Sequence, residues 1–425
     1  MSLHIKKTPL HQWHVDNGAN MAPFGAYDMP LWYPQGAKAE HLAVINSAGL
    51  FDTSHMAMIT MAGTGARGLL QKCFSKDLEC CIGRGRNPLG PSRAVYGLFL
   101  DAHGHVIDDA IVSQVSDTLY AIVVNAGMGA PVAAHLEQHR GYMKTDIADY
   151  TDRLGKIDIQ GPQSARILSK ILDRPASVFD IFPYFSCKGW VAEDIEPEVP
   201  VRLSDGTPAL LSRTGYTGEF GFEIFMAPDT LVSVWQQLLD AGEEFSLIPC
   251  GLAARDSLRT GAVLPLSHQD VGDWPFAGNP WPFALADRDE NGSFSKEFIG
   301  AGALASREPQ QYTLPFAGYD PRKIPVSDKS YVADEDGNRL GTILTCTTDM
   351  AIGRVGSRII SVASREGKPE DFVPRGLSCG FVKVERRLET GSVVFITDGK
   401  RRIKVEIRSD IRPDRTARQP IKMMI

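Results

Sequence analysis

YGLFLDAHGHVIDDAIVSQ, residues 96–114, sets two apolar runs on either side of a short Asp-Ala-His-Gly segment. Apolar runs joined by so short a polar turn predict an antiparallel β-hairpin, turned at residues 102–104. The second run carries a puzzle, because it places two adjacent acids inside a strand. Side chains alternate along a strand, so Asp109 shares a face with Ile107 and Ile111, and Asp108 shares the other with Val106, Ala110 and Val112. If either face is core, one carboxylate leaves water, and an unpartnered buried carboxylate costs several kcal/mol in effect. One of the pair is therefore expected to be held by hydrogen bonds, capping backbone amides nearby, and the other to stand at a ligand cleft. The strand alone leaves open which is which.

Outward from the hairpin, residues 36–47 have helical spacing with Gly49 as the expected stop, MAMITMAG reads as a strand and GARGLLQKCF as a short helix. TLYAIVVNAG is a further strand, and PVAAHLEQHR and GPQSARILSKIL are helices. DTLVSVWQQLLDAG is the best-marked helix, with Asp229 as N-cap and Leu231, Val234, Trp235 and Leu238 on one face. GTGARG, residues 63–68, matches the dinucleotide fingerprint by letter. It is discounted because no acid lies between Glu79 and Asp101 and no βαβ alternation follows. Beyond about residue 310 short strands and the turn pairs Asp336-Gly337 and Asp398-Gly399 predict a separate β-barrel or sandwich. The fold class is thus α+β, with residues 1–310 as one module of two interleaved domains and 311–425 as a C-terminal barrel.

The 425 residues exceed the ~250–300 at which one hydrophobic core stops growing. With 45 basic against 51 acidic residues and a net charge of −6, nothing favours nucleic acid or an anionic membrane in general. No apolar run approaches the ~18 residues of a bilayer span, and MSLHIKKTPLHQWHV lacks a secretory h-region, so a cytoplasmic protein is expected. Seven cysteines without a CxxC pair argue against a disulfide framework or structural zinc, and no metal is expected. His135 and His139 are four apart on a helix and have metal-gripping spacing, but with no HExxH glutamate they read as ordinary residues of a surface helix. The last 26 residues hold nine Lys or Arg and three acids, and read as a solvated edge strand and tail.

Two further stretches carry chemistry. SRTGYTGEFGFEIF, residues 212–225, has glycines for tight turns and then places Glu223 among apolar neighbours in a strand. CGLAARDSLRTGA sets Arg255 and Arg259 four apart on a helix, from which two guanidinium groups can project to one side as a forked donor for a ligand carboxylate.

Together with TPLHQWHVDNGANMAPFGAYDMPLWY, GLFDTSHMAMI, VVNAG, DIQGPQS and GLAARDSLRTGAVLPL, these stretches resemble the aminomethyltransferase family, which includes the T-protein of the glycine cleavage system and its folate-dependent relatives. They occur in the family's order over most of residues 8–270. The resemblance implies a three-domain cloverleaf around a central opening that binds tetrahydrofolate as cofactor and acceptor of a one-carbon unit. It makes Asp109 the catalytic acid, Glu223 and Arg255 folate-binding residues, and Tyr96, Met56 and Tyr184 lining residues of the same pocket. It implies a lipoylated H-protein as partner and donor.

The departures lie elsewhere. PLSHQDVGDWPFAGNPWPFAL, with His268, Trp274 and Trp281, replaces the family's PLYGHE and EAGLGW-like segments, and the C-terminal domain has LTCTTDM, an inserted SRIISVASREGKPEDFVPRGLSC and a terminal IRPDRTARQP. They touch the donor side and carrier docking more than the folate stretches. The alternative they raise is a tetrahydrofolate-dependent demethylase of a small sulfonium, amine or methoxy donor. A folate-binding assembly factor without transfer chemistry is disfavoured, since RTGYTGEFG stands where such relatives carry K-G-C-Y-x-G-Q-E.

Overall fold

The hairpin forms as strands Arg93–Leu100 and Val106–Gln114, paired antiparallel with Leu98 opposite Asp109. Asp101 builds its turn by accepting the His103 and His105 backbone N–H groups at 2.8 and 2.9 Å, while Gly104 takes φ +81°, a conformation open to glycine. In this computed structural model, which describes residues 5–191, 197–305 and 308–425, the hairpin is one edge of a five-stranded antiparallel sheet. The order continues through Leu119–Val124, Ala57–Ala62 and Asp146–Asp149. The first four residues of the stretch read against a secretory signal lie outside the described residues. Helices Ala66–Cys73 and Gly129–Arg140 cover one face, burying Leu69, Leu70, Val132 and Leu136 against Phe99, Ala110 and Val112. The GTGARG segment therefore joins a strand to a helix in an antiparallel sheet, and the dinucleotide context is absent.

A second sheet of six strands interleaves with the first in sequence. Its order is Cys187–Lys188, Leu210–Ser212, Gly221–Met226, Gly155–Gln160, Gly49–Asp52 and Ile248–Pro249, with only the last pair parallel. The helix Leu231–Gly242 packs Leu231, Val234, Trp235 and Leu238 into its core, each burial worth roughly 1.5–3 kcal/mol for a large apolar side chain. Asp229 is not its N-cap: Pro228 starts a 3-10 turn over Pro228–Thr230, Asp229 falls inside that turn, and Thr230 occupies the cap position. Nor does Gly49 stop the preceding helix, which spans Ala37–Asn46. Gly49 already opens the next strand, where a Cβ would lie 2.5 Å from Val44 Cγ2 and 2.6 Å from Cys250 Sγ, so packing demands glycine there. The helix Ser164–Ser169 is shorter than its sequence stretch, and the helix His11–Asp16 and hairpin Asn20–Phe24 with Tyr27–Trp32 carried no sequence signal that was read.

Strands Tyr312–Gly318, Leu377–Val384, Arg339–Asp349, Tyr331–Ala333, Val393–Thr397 and Arg402–Ile407 close into a six-stranded barrel, the last strand pairing back onto the first. Gly337 and Gly399, at φ +91° and +83°, make the turns predicted there. The start of the inserted segment supplies strand Arg358–Ser361, which pairs with the preceding Ile352–Val355 as a small hairpin beside the barrel. Six of the nine Lys and Arg of residues 400–425 are exposed, as the solvated-tail reading expects, but the strand there is paired on both sides in the barrel and Arg412 turns inward. Arg412 is fully buried, paired with Asp349 at 2.6 Å and Glu219 at 3.2 Å, and Ala417 and Gln419 offer their carbonyls to Arg213. A buried cation needs partners, and the acids of two other segments supply them. No helix among the described residues is long and apolar enough to cross a membrane.

Candidate active site

Asp108 and Asp109 part as the strand requires. Asp108 is fully buried and accepts the Asn125 backbone N–H and side-chain amide, both at 2.8 Å, holding the turn that follows strand Leu119–Val124. Asp109, on the opposite face, stays partly exposed. Its Oδ2 accepts the Tyr96 hydroxyl at 2.8 Å and its Oδ1 the Asn125 amide at 2.5 Å. Burial pushes both carboxyls up; for Asp108, with Asp109 beside it as the second cause, the value reaches about 7. The charge of each carboxyl disfavours ionisation of the other.

A second polar cluster lines the facing strands of the six-stranded sheet. Glu223 stands directly across from Asp158 in the ladder, two carboxylates side by side in a buried layer. Lys156 resolves the conflict: its Nζ lies 2.5 Å from Asp158 Oδ1 and 2.6 Å from Glu223 Oε1. Thr214 donates its hydroxyl to the other Glu223 oxygen, and Thr53 donates to Asp158 Oδ1 at 2.8 Å. Arg255 Nη1 binds Asp158 Oδ2 at 2.7 Å, and its Nη2 rests 3.9 Å from the Met56 sulfur. Although burial raises it, Lys156 and Arg255 hold the Asp158 carboxyl below its ordinary range. His55, buried beside these cations, is pushed down to about 4 by burial first and Arg255 second, and so is neutral at physiological pH.

Tyr216 connects the clusters. The Arg255 guanidinium sits 5.0 Å from its ring, its hydroxyl donates to the Pro265 carbonyl, and burial raises that hydroxyl, with Asp109 a lesser cause. Tyr184 flanks Glu223, its hydroxyl raised chiefly by burial, with Arg418 5.7 Å from its ring. The six residues named in advance thus fall into a Tyr96–Asp109 group and a Met56–Arg255–Glu223–Tyr184 group. Arg255 and Arg259 do not act as one fork. Arg259 turns under the barrel to Asp256, Asp270 and Thr345, because those acids compensate its complete burial. Asn125, Lys156, Asp158 and Tyr216 were not singled out from the sequence. GKIDIQ carried the same signal as HVIDDAIV, charges inside a buried strand, and Asn125, Asp158 and Tyr216 lie in stretches already recognised.

The segment 267–285 runs beside the Tyr96–Asp109 group. Trp281 is a core plug against Phe381, at 5.2 Å between rings, and donates its indole N–H to the Val263 carbonyl at 2.8 Å. Trp274 lies under Lys383. Phe283 is 53% exposed and sits 5.9 Å from the Tyr96 ring, and His268 reaches within 3.8 Å of Asp108. Two surface hollows of about 410 and 420 Å³, one lined by Arg322, Lys323, Arg401 and Arg402 and the other by residues 62–64 and 143–146, contain none of these side chains.

Residues 10–274 match the family model of the GCVT N-terminal domain. The chain is 32% identical over 343 residues to an aminomethyltransferase of Caldanaerobacter subterraneus subsp. tengcongensis, covering 80% of this chain and 84% of that one. It is 29% identical over 364 residues to the aminomethyltransferase of Bacillus subtilis, covering 85% and 92%. A crystal structure of glycine cleavage system aminomethyltransferase T from Bartonella henselae superposes with a TM-score of 0.72 over 95% of this chain and 97% of that chain, at 24% identity, and shares the fold.

Proposed function

The chain belongs to the aminomethyltransferase family, a family of one-carbon transferases, and on that premise we propose that it transfers the methylene of an aminomethyl-lipoyl group, carried by an H-protein, to tetrahydrofolate with release of ammonia. The observation that carries this reading is Asp109: a partly exposed carboxylate, raised by burial, aimed by a tyrosine and an asparagine, and backed by a second acid.

The residues present fit a reduced folate. A pterin offers adjacent N–H donors along one edge, and each Glu223 oxygen, already holding one donor, retains a lone pair to accept another. Tyr96 and Phe283 supply aromatic surface beside Asp109. Tetrahydrofolate, when bound, supplies the nitrogens that take up the carbon.

Asp109 manages the proton. Tyr96 and Asn125 each occupy one lone pair of its oxygens and leave the others free toward the opening. With its carboxyl pushed up by burial, Asp109 can hand a proton to a departing amine, and a proton given up at the acceptor nitrogen can return there. Lys156 and Thr214 hold Glu223 in place, and Arg255, anchored on Asp158, keeps a cation over the Tyr216 ring.

Phe283 favours a second reading. Exposed beside Tyr96 and next to a carboxylate, it forms the kind of aromatic wall that attracts a small sulfonium or ammonium ion, as a demethylase would need. Incubation with tetrahydrofolate and loaded H-protein, or with methylated small molecules, separates the two. Methylene-folate and ammonia support the first reading, and methyl-folate formed only from a small donor replaces it.

A further inference from the structure

We propose that Cys73, His135 and His139 form a binding site for a borderline divalent transition metal of the zinc class, on the side of the five-stranded sheet away from Asp109. The ligand atoms of the three side chains all lie within 4.8 Å of one another. A tetrahedral site needs somewhat closer approach, which a small rotamer adjustment of the partly exposed His139 supplies.

The surface-helix reading of these histidines fails at His135. That residue is only 9% exposed, and its Nε2 is buried without a hydrogen-bond partner. A buried polar atom left unpaired costs about 1–3 kcal/mol, and a metal ion removes that cost. The neighbouring atoms are set for the same purpose. His139 Nδ1 lies 2.8 Å from the His135 carbonyl, which can only accept, so Nδ1 carries the hydrogen and Nε2 presents its lone pair. The two imidazole rings are 4.7 Å apart, at helix positions i and i+4 on one face. Burial pushes His135 down to about 4, which keeps it in the neutral, ligating form.

Cys73 completes the set from the last residue of the other helix. Burial holds its sulfur as a thiol, and binding exchanges the S–H proton, released to solvent, for a metal–sulfur bond. One thiolate and two imidazoles suit zinc or cobalt(II), and the exposed side of His139 leaves room for a water as fourth ligand. The ion would pin helix Ala66–Cys73 to helix Gly129–Arg140. His135 packs against Phe99, the strand neighbour of Leu98, and Leu98 is the residue paired with Asp109. The metal and the candidate active site therefore occupy opposite faces of one sheet.

The test titrates chelator-stripped full-length protein with cobalt(II). One ion per chain is expected, with tetrahedral d–d bands and a thiolate-to-cobalt charge-transfer band that zinc abolishes by displacement. Cys73→Ser should lose the charge-transfer band. His139→Ala, a change at a partly exposed position, should weaken binding at least ~10-fold, lose the zinc-induced rise in Tm and keep the folded circular-dichroism spectrum. Folate-dependent turnover should persist in both variants. No charge-transfer band in the parent, a band that survives Cys73→Ser, or undiminished affinity in His139→Ala overturns the proposal.

Discussion

Lys156→Met tests the charge balance of the buried cluster. The substitution keeps most of the side-chain stem and removes one cation that lies 2.5 Å from Asp158 and 2.6 Å from Glu223, all three side chains being no more than 7% exposed. Asp158 keeps Arg255, but Glu223 keeps only the Thr214 hydroxyl and now faces a like charge across the ladder. At an effective dielectric near 20, each contact is worth about 6 kcal/mol in Coulomb energy before desolvation is subtracted. Breaking a buried pair from one side costs about 3–5 kcal/mol in practice. We expect that loss in urea unfolding near neutral pH, a large share of an ordinary stability of about 5–15 kcal/mol. The deficit should shrink in acid, because Lys156 is the largest cause holding the Asp158 carboxyl down, so without it Asp158 takes up a proton earlier as pH falls, which relieves the repulsion. Lys156→Met combined with Glu223→Gln leaves Asp158 paired with Arg255 at 2.7 Å and no unpaired acid across the ladder, and should recover more than half of the loss. A deficit under about 1 kcal/mol, or a double variant no better than the single, would refute the claim that Lys156 neutralises the two facing acids.

Asp109→Asn should leave the thermal unfolding profile near the parent's and lower turnover about 10²–10⁴-fold in a methylene-folate assay. Glu223→Ala should weaken tetrahydrofolate binding by roughly 1.5–3 kcal/mol, read by isothermal titration, as expected for the loss of a charged hydrogen-bond acceptor. Asp108 is raised to about 7, so the folded state holds a proton that the unfolded chain gives up near the ordinary carboxylate value. Its contribution to stability falls as pH rises from about 4 to about 7, and Asp108→Asn should flatten that limb of a stability-against-pH curve from denaturant unfolding. Arg412→Leu should cost about 3–5 kcal/mol by leaving Asp349 and Glu219 buried with one partner fewer, measured as a lowered urea midpoint.

The amino-acid sequence by itself determined the hairpin at residues 96–114, the helix that buries Trp235 and the change to barrel texture after residue 310, because periodicity and turn chemistry are local properties of the chain. It also showed that two acids in one strand must part company, since alternation allows nothing else. Only the tertiary structure decided which of them stays partly exposed. That choice depends on Asn125, which arrives from the next strand and takes Asp108 with its backbone amide. The same holds for Arg259, Arg412 and His135, whose sequence settings suggested solvent or ligand and whose burial is instead set by acids, carbonyls and helices brought in from distant parts of the chain. Burial and partnership are pairwise properties of residues far apart in sequence, so no local pattern records them until the chain has closed on itself.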